Sequence, residues 1–290
     1  MGYRVDNAII MAAGLSSRFA PISYEKPKAL IAVKGEVLIE RQIRQLHESG
    51  IKDIIIVVGY KKEQFYYLKE KYGVKIIENP EYQVRNNNSS IYAVREYLRN
   101  SYICSADNYF EKNPFQREEN ESFYAAVHAD GRTDEWCLET DSEDYINQVT
   151  VGGENKWYML GHSFWSHIFS KRFIQILEEV YDRGVTRQKF WEDIYRENIG
   201  TLRMKVKRYE NNQIYEFDSL DELREFDSKY KNESGSYVMQ CLAKMLYCEE
   251  AELKKIVPYK TETGEVIGIT FLYADKKYVY EYKNGMLKEL

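Results

Sequence analysis

Residues 9–33 read IIMAAGLSSRFAPISYEKPKALIAV. An apolar run typical of a buried strand leads into small residues, hydroxyls and one guanidinium at positions 12–18, and a second apolar run fills 29–33. Small residues let backbone N–H groups approach a polyanion, and the N-terminus of a following helix would favour negative charge. Arg18 and Lys28 would bracket phosphates as cations. The pattern predicts a phosphate-binding loop, although a glycine–serine loop alone is usually only a turn.

Composition narrows the functional classes. Of 290 residues, 44% are hydrophobic and 30% charged, as in ordinary folded proteins. The net charge of −5 argues against general nucleic-acid binding. We find neither a signal peptide nor an apolar run near the roughly 20 residues that span a bilayer. The four cysteines lack metal-binding spacing. We therefore expect a cytoplasmic protein with no membrane insertion.

Strand and helix patterns alternate after the loop. The predicted strands cover 7–11, 53–58, 74–77 and 102–105, and the predicted helices cover 37–49, 63–72 and 89–98. This order predicts a doubly wound α/β sheet, in which ligands bind beyond the carboxyl ends of the strands. The loop at Gly14, Gly59-Tyr60 and Asn79-Pro80 would gather there.

The second half predicts a mixed, partly antiparallel side of the sheet and a small appendage. Further predicted strands cover 123–129, 136–139, 145–151, 157–164, 202–209 and 214–217, and further predicted helices cover 170–181, 188–198 and 220–230. Ser219 is the predicted cap of the last helix. After a polar break at 231–236, helices at 237–246 and 249–256 and strands at 266–273 and 277–282 predict an α+β segment. The predicted domains are 1–230 and 231–290.

Three positions are candidates for recognising the base of a nucleotide or for binding a metal ion. The amides at 86–88 are either an ordinary cap and loop or a reader of a cytosine edge, since an amide both donates and accepts. Asp107 follows a buried strand, where a carboxylate can hold Mg²⁺ on a triphosphate, although turn aspartates are common there. Asp218 also follows a predicted strand and could be a cap, but Ser219 competes for that role.

The chain resembles the LicC-like CTP:phosphocholine cytidylyltransferases over roughly residues 8–229. The segments that carry the resemblance are AAGLSSRFAP, KPKAL, VLIERQI, DIIIVVGYKKEQFYYLKEKYGV, NNNSSIYAV, SADNY, DEW, GHSFW, FWEDIYRENI and IYEFDS. The first two are shared with sugar-1-phosphate nucleotidyltransferases, and the later ones discriminate better. The resemblance implies a Rossmann-like nucleotidyltransferase fold, with a mixed, mostly parallel sheet flanked by helices, and a Mg²⁺ cofactor.

The resemblance also assigns residues. It implies catalytic roles for Lys28, Arg18 and Asp107, and Mg²⁺ ligation by Asp107 and Asp218 with Glu216 in support. The residues that it places around the CTP are Ala12, Ala13, Gly14, Leu15, Ser16, Ser17, Arg18, Lys28, Gly59, Asn86, Asn87, Ser90 and Ala106.

A quaternary ammonium acceptor needs aromatic faces and a nearby carboxylate, because it has no N–H to donate. The candidates are Trp136, Phe190, Trp191 and Glu192. Tryptophans at such positions are more often core residues, and the resemblance favours the acceptor role. Phe190 departs from the tyrosine usual in the family, which removes a hydroxyl contact. A primary-amine acceptor such as 2-aminoethylphosphonate or phosphoethanolamine would prefer more carboxylates. Glu192 and Asp193 are two carboxylates in this region, so a primary-amine acceptor stays an alternative.

We expect a phosphate oxygen of phosphocholine to attack the α-phosphorus of CTP in line, giving CDP-choline and pyrophosphate. The alternatives are a sugar-1-phosphate nucleotidyltransferase and a non-catalytic nucleotide-binding regulatory protein. Residues 248–282 also look like the opening strands of a choline-kinase N-lobe, from which we expect no catalytic power. The sequence leaves the oligomeric state open, a homodimer included.

Overall fold

The computed structural model describes residues 2–290. Its contacts divide the chain into two units. The first contains the residues up to Gly14 together with Leu38–Glu216, and the second contains Leu15–Val37 and Phe217–Leu290. None of the helices within residues 2–290 is both long and apolar enough to cross a membrane.

A nine-stranded mixed sheet forms the centre of the first unit. Its strands are β1 (Asn7–Ala12), β2 (Ile54–Val58), β3 (Lys75–Glu78), β4 (Ser101–Ser105), β5 (Phe123–His128), β6 (Arg132–Thr140), β7 (Ile146–Glu154), β8 (Trp157–Trp165) and β9 (Lys205–Arg208). They follow the order β7-β6-β8-β4-β1-β2-β3, while β5 pairs with both β8 and β9. Strands β4, β1, β2 and β3 run parallel, and β8 is antiparallel to β4. The predicted fold class is confirmed.

The apolar run of β2 is buried at every position, as expected of a parallel strand covered on both faces. The helices of this unit are α1 (Leu38–Glu48), α2 (Tyr67–Tyr72), α3 (Asn88–Ala93), α4 (His167–Val180) and α5 (Trp191–Glu197), with 3-10 turns at Lys62–Phe65, Arg95–Tyr97 and Gly184–Gln188. The continuous helices predicted at 63–72, 89–98 and 188–198 are each interrupted. The last begins only at Trp191, because Phe190 has extended backbone angles.

Two short strand pairs complete the first unit. Tyr3–Arg4 pairs with Glu118–Glu119, and Tyr109–Phe110 pairs with Ile214–Tyr215. The second of these pairs brings two segments a hundred residues apart next to one another just after β4.

The second unit combines a loop-rich segment with an antiparallel sheet. Its elements are a 3-10 turn at Ser17–Phe19, a helical turn at Ile22–Glu25, a 3-10 turn at Lys28–Leu30, the strand pair Ala32–Val33 and Glu36–Val37, α6 (Leu220–Phe226), a 3-10 turn at Ser228–Lys231, α7 (Tyr237–Leu246), a 3-10 turn at Glu250–Glu252, β10 (Lys254–Lys260), β11 (Val266–Tyr273), β12 (Lys276–Glu281) and β13 (Met286–Glu289). The four strands pair in chain order. Ser219 caps α6 as predicted, accepting a hydrogen bond from the backbone of Glu222.

The prediction of a helix at residues 249–256 is wrong. Only Glu250–Glu252 forms a turn, and β10 begins at Lys254. Pro258 disfavours helical backbone just before it, and Ile256 is buried. Pairing of Val257 with Thr270 then extends the segment along β11.

The domain boundary predicted at residues 230 and 231 stays a prediction. The contact-based division falls at a different place, after Glu216, and adds Leu15–Val37 to the C-terminal unit. The phosphate-loop segment thus packs with the C-terminal residues, a relation that a linear reading of the chain does not show.

Candidate active site

The loop after β1 is open where the sequence predicts phosphate binding. Gly14 is exposed, and a Cβ built on it meets nothing within 4 Å, so packing does not require glycine here. Ser16 adopts the left-handed conformation, with φ 49° and ψ 44°. The loop leads into the 3-10 turn Ser17–Phe19 and then into the four-residue helical turn Ile22–Glu25, so the expected N-terminus of a helix does not lie at the loop itself. Whatever anion this loop binds must therefore be held by backbone N–H groups and side chains rather than by a helix dipole.

Within the second unit, two cations converge on Asp218. The Arg18 guanidinium lies 2.7 Å from one carboxylate oxygen, and the Lys28 ammonium lies 3.7 Å from the other. Lys28 is only 4% exposed and lies 5.8 Å from the centre of the Phe19 ring, whereas Arg18 is 73% exposed. Asp218 thus holds both cations together, and the two cations are of the type that binds an anion. Lys28 is the fixed part of this site, and Arg18 can move.

Asp218 is not the cap of α6. Its own backbone N–H donates to the Glu222 carboxylate at 2.8 Å, and Ser219 supplies the capping oxygen. The local structure therefore leaves the Asp218 carboxylate to the cations.

Asp107 and Glu216 belong to the first unit. Asp107 follows β4, whose course is extended by a hydrogen bond from the Ala106 N–H to the Met11 carbonyl. The strand pair after β4 places the Asn108 amide 3.3 Å from the Glu216 carboxylate. Carboxylate oxygens are the ligands that Mg²⁺ prefers, so the donor types at Asp107, Glu216 and Asp218 fit the predicted ion. Across residues 2–290, however, no three His, Cys, Asp or Glu side chains are grouped to hold a metal.

The asparagine-rich segment makes internal hydrogen bonds. The Asn86 amide donates to the Gln188 carbonyl, and the Asn88 amide donates to the Thr186 carbonyl at 2.9 Å. The Asn87 oxygen accepts from the Trp191 N–H at 2.7 Å, while its nitrogen donates to Glu192 at 3.1 Å. These amides tie the loop before α3 to the start of α5. Asn87 stands at the N-cap position of α3, but its side chain does not cap that helix. The roles of these amides in CTP binding stay predictions.

Two other predicted nucleotide residues have packing roles. A Cβ on Gly59 would lie 2.6 Å from the Tyr82 ring, so only glycine fits there. Ser90 is buried and accepts a hydrogen bond from the Asn79 amide at 3.2 Å. Ala13 is buried beside Gly59, and its carbonyl accepts from the Tyr60 N–H. Leu15 is 44% exposed on the loop itself.

The predicted acceptor residues differ in how far they are exposed to solvent. Phe190 is 42% exposed, and its ring meets Trp136 edge to face with centroids 6.1 Å apart. Trp191 is 1% exposed and packs against Trp165 and Tyr124 in the core. Phe190 can therefore meet a ligand directly. The Trp136 ring already has the Arg196 guanidinium 5.2 Å from its centre, and Trp191 lies behind these rings in the core.

Glu192 lies among neutral hydrogen-bond donors. Its carboxylate accepts from the Asn87 amide at 3.1 Å and from the Tyr124 hydroxyl at 3.2 Å. The residue is only partly buried by area, but its carboxyl is well removed from water, and desolvation raises the pKa of Glu192 to about 7. No lysine or arginine among residues 2–290 forms an ion pair with it. A ligand cation would supply that missing charge.

Sequence reasoning missed two tyrosines whose pKa values respond to nearby carboxylates, and one of them, Tyr124, donates to Glu192. Desolvation raises the pKa of Tyr124 well above its usual range, and the charges of Glu192, Glu216 and Glu135 raise it further. The pKa of Tyr158 is raised by desolvation and by the charges of Glu135 and Glu216. The two aromatic rings therefore experience a negative potential, which suits a cation. Tyr124 and Tyr158 lie on β5 and β8, and only their strand alternation could have indicated them.

Residues 8–187 match the model of the MobA-like NTP transferase domain. This chain belongs to that family. The choline-phosphate cytidylyltransferase of Streptococcus pneumoniae is 40% identical over 227 residues, which cover 78% of this chain and 99% of that protein. The 2-aminoethylphosphonate cytidylyltransferase of Lancefieldella rimae is 39% identical over 228 residues, covering 77% and 93%.

A solved structure agrees with these relatives. The CTP:phosphocholine cytidylyltransferase LicC of S. pneumoniae superposes with a TM-score of 0.75 at 40% identity, covering 78% of this chain and 99% of that one. The resemblance to LicC-like nucleotidyltransferases is thereby confirmed, and this MobA-like protein is an enzyme of the nucleotidyltransferase class. The matches leave about a fifth of the chain uncovered. Because the resemblance ends near Lys229, we place that fifth in residues 231–290.

Proposed function

We propose that this nucleotidyltransferase transfers CMP from CTP to phosphocholine, giving CDP-choline and pyrophosphate. The observation that carries the acceptor assignment is the carboxylate of Glu192 among aromatic side chains, with neutral hydrogen-bond donors and no cation paired to it. A trimethylammonium group interacts well with aromatic faces and with one diffuse negative charge.

The phosphate of phosphocholine supplies the nucleophile. One of its oxygens forms a bond to the α-phosphorus of CTP while the bond to the β-phosphate oxygen breaks, and pyrophosphate departs with that electron pair. The nucleophile is already anionic near neutral pH, so no side chain needs to remove a proton. The chain's contribution is to position the reactants and to neutralise charge.

Lys28 and Arg18 are the proposed source of that positive charge. The buried ammonium of Lys28 is held in place by its surroundings, which is what an electrostatic stabiliser of the departing pyrophosphate requires. Arg18, being exposed, can exchange Asp218 for phosphate oxygens when CTP binds.

Magnesium, when bound, would neutralise part of the triphosphate charge. We propose Asp107, Glu216 and Asp218 as its ligands on the chemistry of their oxygen donors and on the family resemblance. Each carboxylate is testable by its own Asn or Gln variant, read as a rise in the Mg²⁺ concentration that gives half-maximal rate.

2-Aminoethylphosphonate is the second candidate acceptor, because a relative at 39% identity acts on it by name. A primary ammonium prefers several carboxylates. Asp193 does not supply one readily, because its oxygens accept from the Phe190 N–H at 2.9 Å and pair with Arg196 at 3.0 Å. This commitment of Asp193 favours phosphocholine.

The deciding experiment measures pyrophosphate release with CTP and Mg²⁺ in the presence of phosphocholine, 2-aminoethylphosphonate, phosphoethanolamine or glucose-1-phosphate. We expect the highest kcat/KM with phosphocholine. A preference for a primary amine would overturn the acceptor and keep the nucleotide assignment. Activity with glucose-1-phosphate alone would favour a sugar enzyme, and CTP binding without release would favour a regulatory protein.

A further inference from the structure

We propose that residues 231–290, which lie beyond the match to the relatives, position the segment that carries Arg18 and Lys28. Glu25 is the residue through which they act. The inference rests on the proposed function, because it concerns the same cations. It assigns to the C-terminal residues a role in CMP transfer without any contact with the substrates.

Glu25 is bound to the N-terminus of α7. One of its carboxylate oxygens accepts hydrogen bonds from the Ser236 hydroxyl at 2.6 Å and from the Val238 N–H at 3.0 Å, and the other accepts from the Tyr237 N–H at 2.8 Å. The first N–H groups of a helix have no partner within the helix, and its N-terminus favours a negative charge. Glu25 thus supplies from a distant segment what a local acidic cap would otherwise supply.

Glu25 lies close to Lys28 in the chain, so its contact with α7 affects the position of Lys28. Glu25 ends the helical turn Ile22–Glu25 and lies three residues before Lys28, with only Lys26 and Pro27 between them. Proline fixes its own φ angle and restricts the residue before it. Because the backbone between them is stiff, a displacement of Glu25 also displaces Lys28.

Two further contacts hold the same segment. Tyr24 stacks on Tyr282, just after β12, with ring centroids 4.0 Å apart and planes 24° apart. The 3-10 turn Ser17–Phe19, which contains Arg18, packs against β10. Both the helical part and the sheet part of residues 231–290 thus touch the cation-bearing segment, while all the residues concerned belong to one unit.

Residues before the C-terminal segment hold the other end of the loop. The Tyr230 hydroxyl donates to the Ala32 carbonyl at 2.6 Å, and the Lys34 N–H donates to Asp227 at 2.7 Å. These contacts lie downstream of Lys28, so they do not fix the stretch between Arg18 and Lys28. Within that stretch, residues 231–290 contact Tyr24, Glu25 and the turn Ser17–Phe19. Asp218 pairs with the two cations themselves.

The test compares Glu25→Ala, Glu25→Gln and the control Glu262→Ala, which changes an exposed glutamate in the turn between β10 and β11. Pyrophosphate release is measured while CTP and phosphocholine are varied separately. Backbone amide hydrogen exchange is followed across residues 15–37 and across the nine-stranded sheet. Melting temperatures show whether each variant is folded.

For Glu25→Ala we expect kcat/KM for CTP to fall roughly ten- to a hundredfold, because a small misplacement of a catalytic group has effects of that size. KM for phosphocholine should stay unchanged, since the proposed acceptor residues belong to the first unit. Amide exchange should rise in residues 15–37 but not in the sheet. Glu25→Gln should recover part of the rate, because its carbonyl oxygen can still accept hydrogen bonds, and Glu262→Ala should match the wild type.

An unchanged kcat/KM for CTP in Glu25→Ala would overturn the proposal. So would equal increases of exchange in both units, since they would show general loosening rather than local positioning. If Glu25→Ala does not fold, Tyr24→Ala with Tyr24→Phe as the stacking control answers the same question. A wild-type chain without activity on any acceptor would overturn the proposed function alone, because the exchange measurement still tests the positioning contact.

Discussion

Two carboxylates in this protein have opposite surroundings. Asp218, in the second unit, lies between the cations Arg18 and Lys28. Glu192, in the first unit, is bonded by an amide and a phenol, and desolvation raises its pKa to about 7. Arg18 and Lys28 bring two cations to the proposed triphosphate site, whereas a carboxylate without a partner cation suits an ammonium. The charged groups gathered at each site thus agree in sign with the ligand proposed for it.

The largest expected effect is on the free energy of unfolding, when the buried Trp191 next to Glu192 is replaced. Trp191→Ala removes a buried indole from the core and should destabilise folding by about 3–5 kcal/mol. Urea unfolding followed by circular dichroism measures the change, and Phe190→Ala is the control at the exposed neighbouring position. A loss of Trp191 that left stability intact but abolished phosphocholine binding would show that the indole lines the pocket.

Removal of the buried ammonium should have the next largest effect. Lys28→Ala should lower kcat by a factor that corresponds to about 3 kcal/mol of transition-state stabilisation, as loss of a single electrostatic donor does elsewhere. Steady-state pyrophosphate release measures it. Lys26→Ala removes an exposed ammonium two residues away and should leave kcat unchanged. Near-normal turnover in Lys28→Ala would remove Lys28 from the proposed mechanism.

The unpaired carboxylate should make acceptor binding depend on pH. The Glu192 carboxyl is largely protonated below pH 7 and charged above it, and a bound cation favours the charged form and so lowers its pKa. KM for phosphocholine should therefore rise as the pH falls through 7, and KM for CTP should not follow it. Glu192→Gln should raise KM for phosphocholine about tenfold, equivalent to about 1.4 kcal/mol, and remove this pH dependence.

Glu197→Gln on the same helix is the matched control, because Glu197 is exposed and already paired with Lys189. It should keep the wild-type pH profile, including any part that arises from the phosphate of the substrate. An identical profile in Glu192→Gln and in the wild type would show that Glu192 does not sense the acceptor.

The smallest effect is expected at the exposed aromatic pair. Phe190→Ala should raise KM for phosphocholine by an amount that corresponds to about 0.5–1 kcal/mol, as cation–π contacts at exposed sites do. Phe190→Tyr should retain the wild-type value, because it keeps the ring that meets Trp136. Comparison of the two variants in the same titration separates the ring from the hydroxyl, and an equal KM in Phe190→Ala would remove this ring from the acceptor site.

Local patterns predicted the elements well where burial and pairing agreed with propensity. Strand β2 and helix α7 appear as predicted. The all-apolar run of β2 is stable only when buried on both faces, and the amphipathic period of α7 is stable with one face buried, so each pattern favours a single structure. The predicted helix at 249–256 failed because sheet pairing outweighed its helical period. The amides at 86–88 allow two interpretations from sequence, and the structure adds that their side chains make hydrogen bonds to the segment around the start of α5.

The sequence by itself determined the family and the fold class, and it predicted the cations that we propose to bind phosphate, because these depend on residue types at short spacing along the chain. Only the tertiary structure showed that Trp191 lies in the core, that Tyr124 contacts Glu192, and that Glu25 holds the start of α7. Each of these facts joins residues far apart in the chain. Burial and the sign of an uncompensated charge are properties of neighbours in space, and spacing along a chain does not record them.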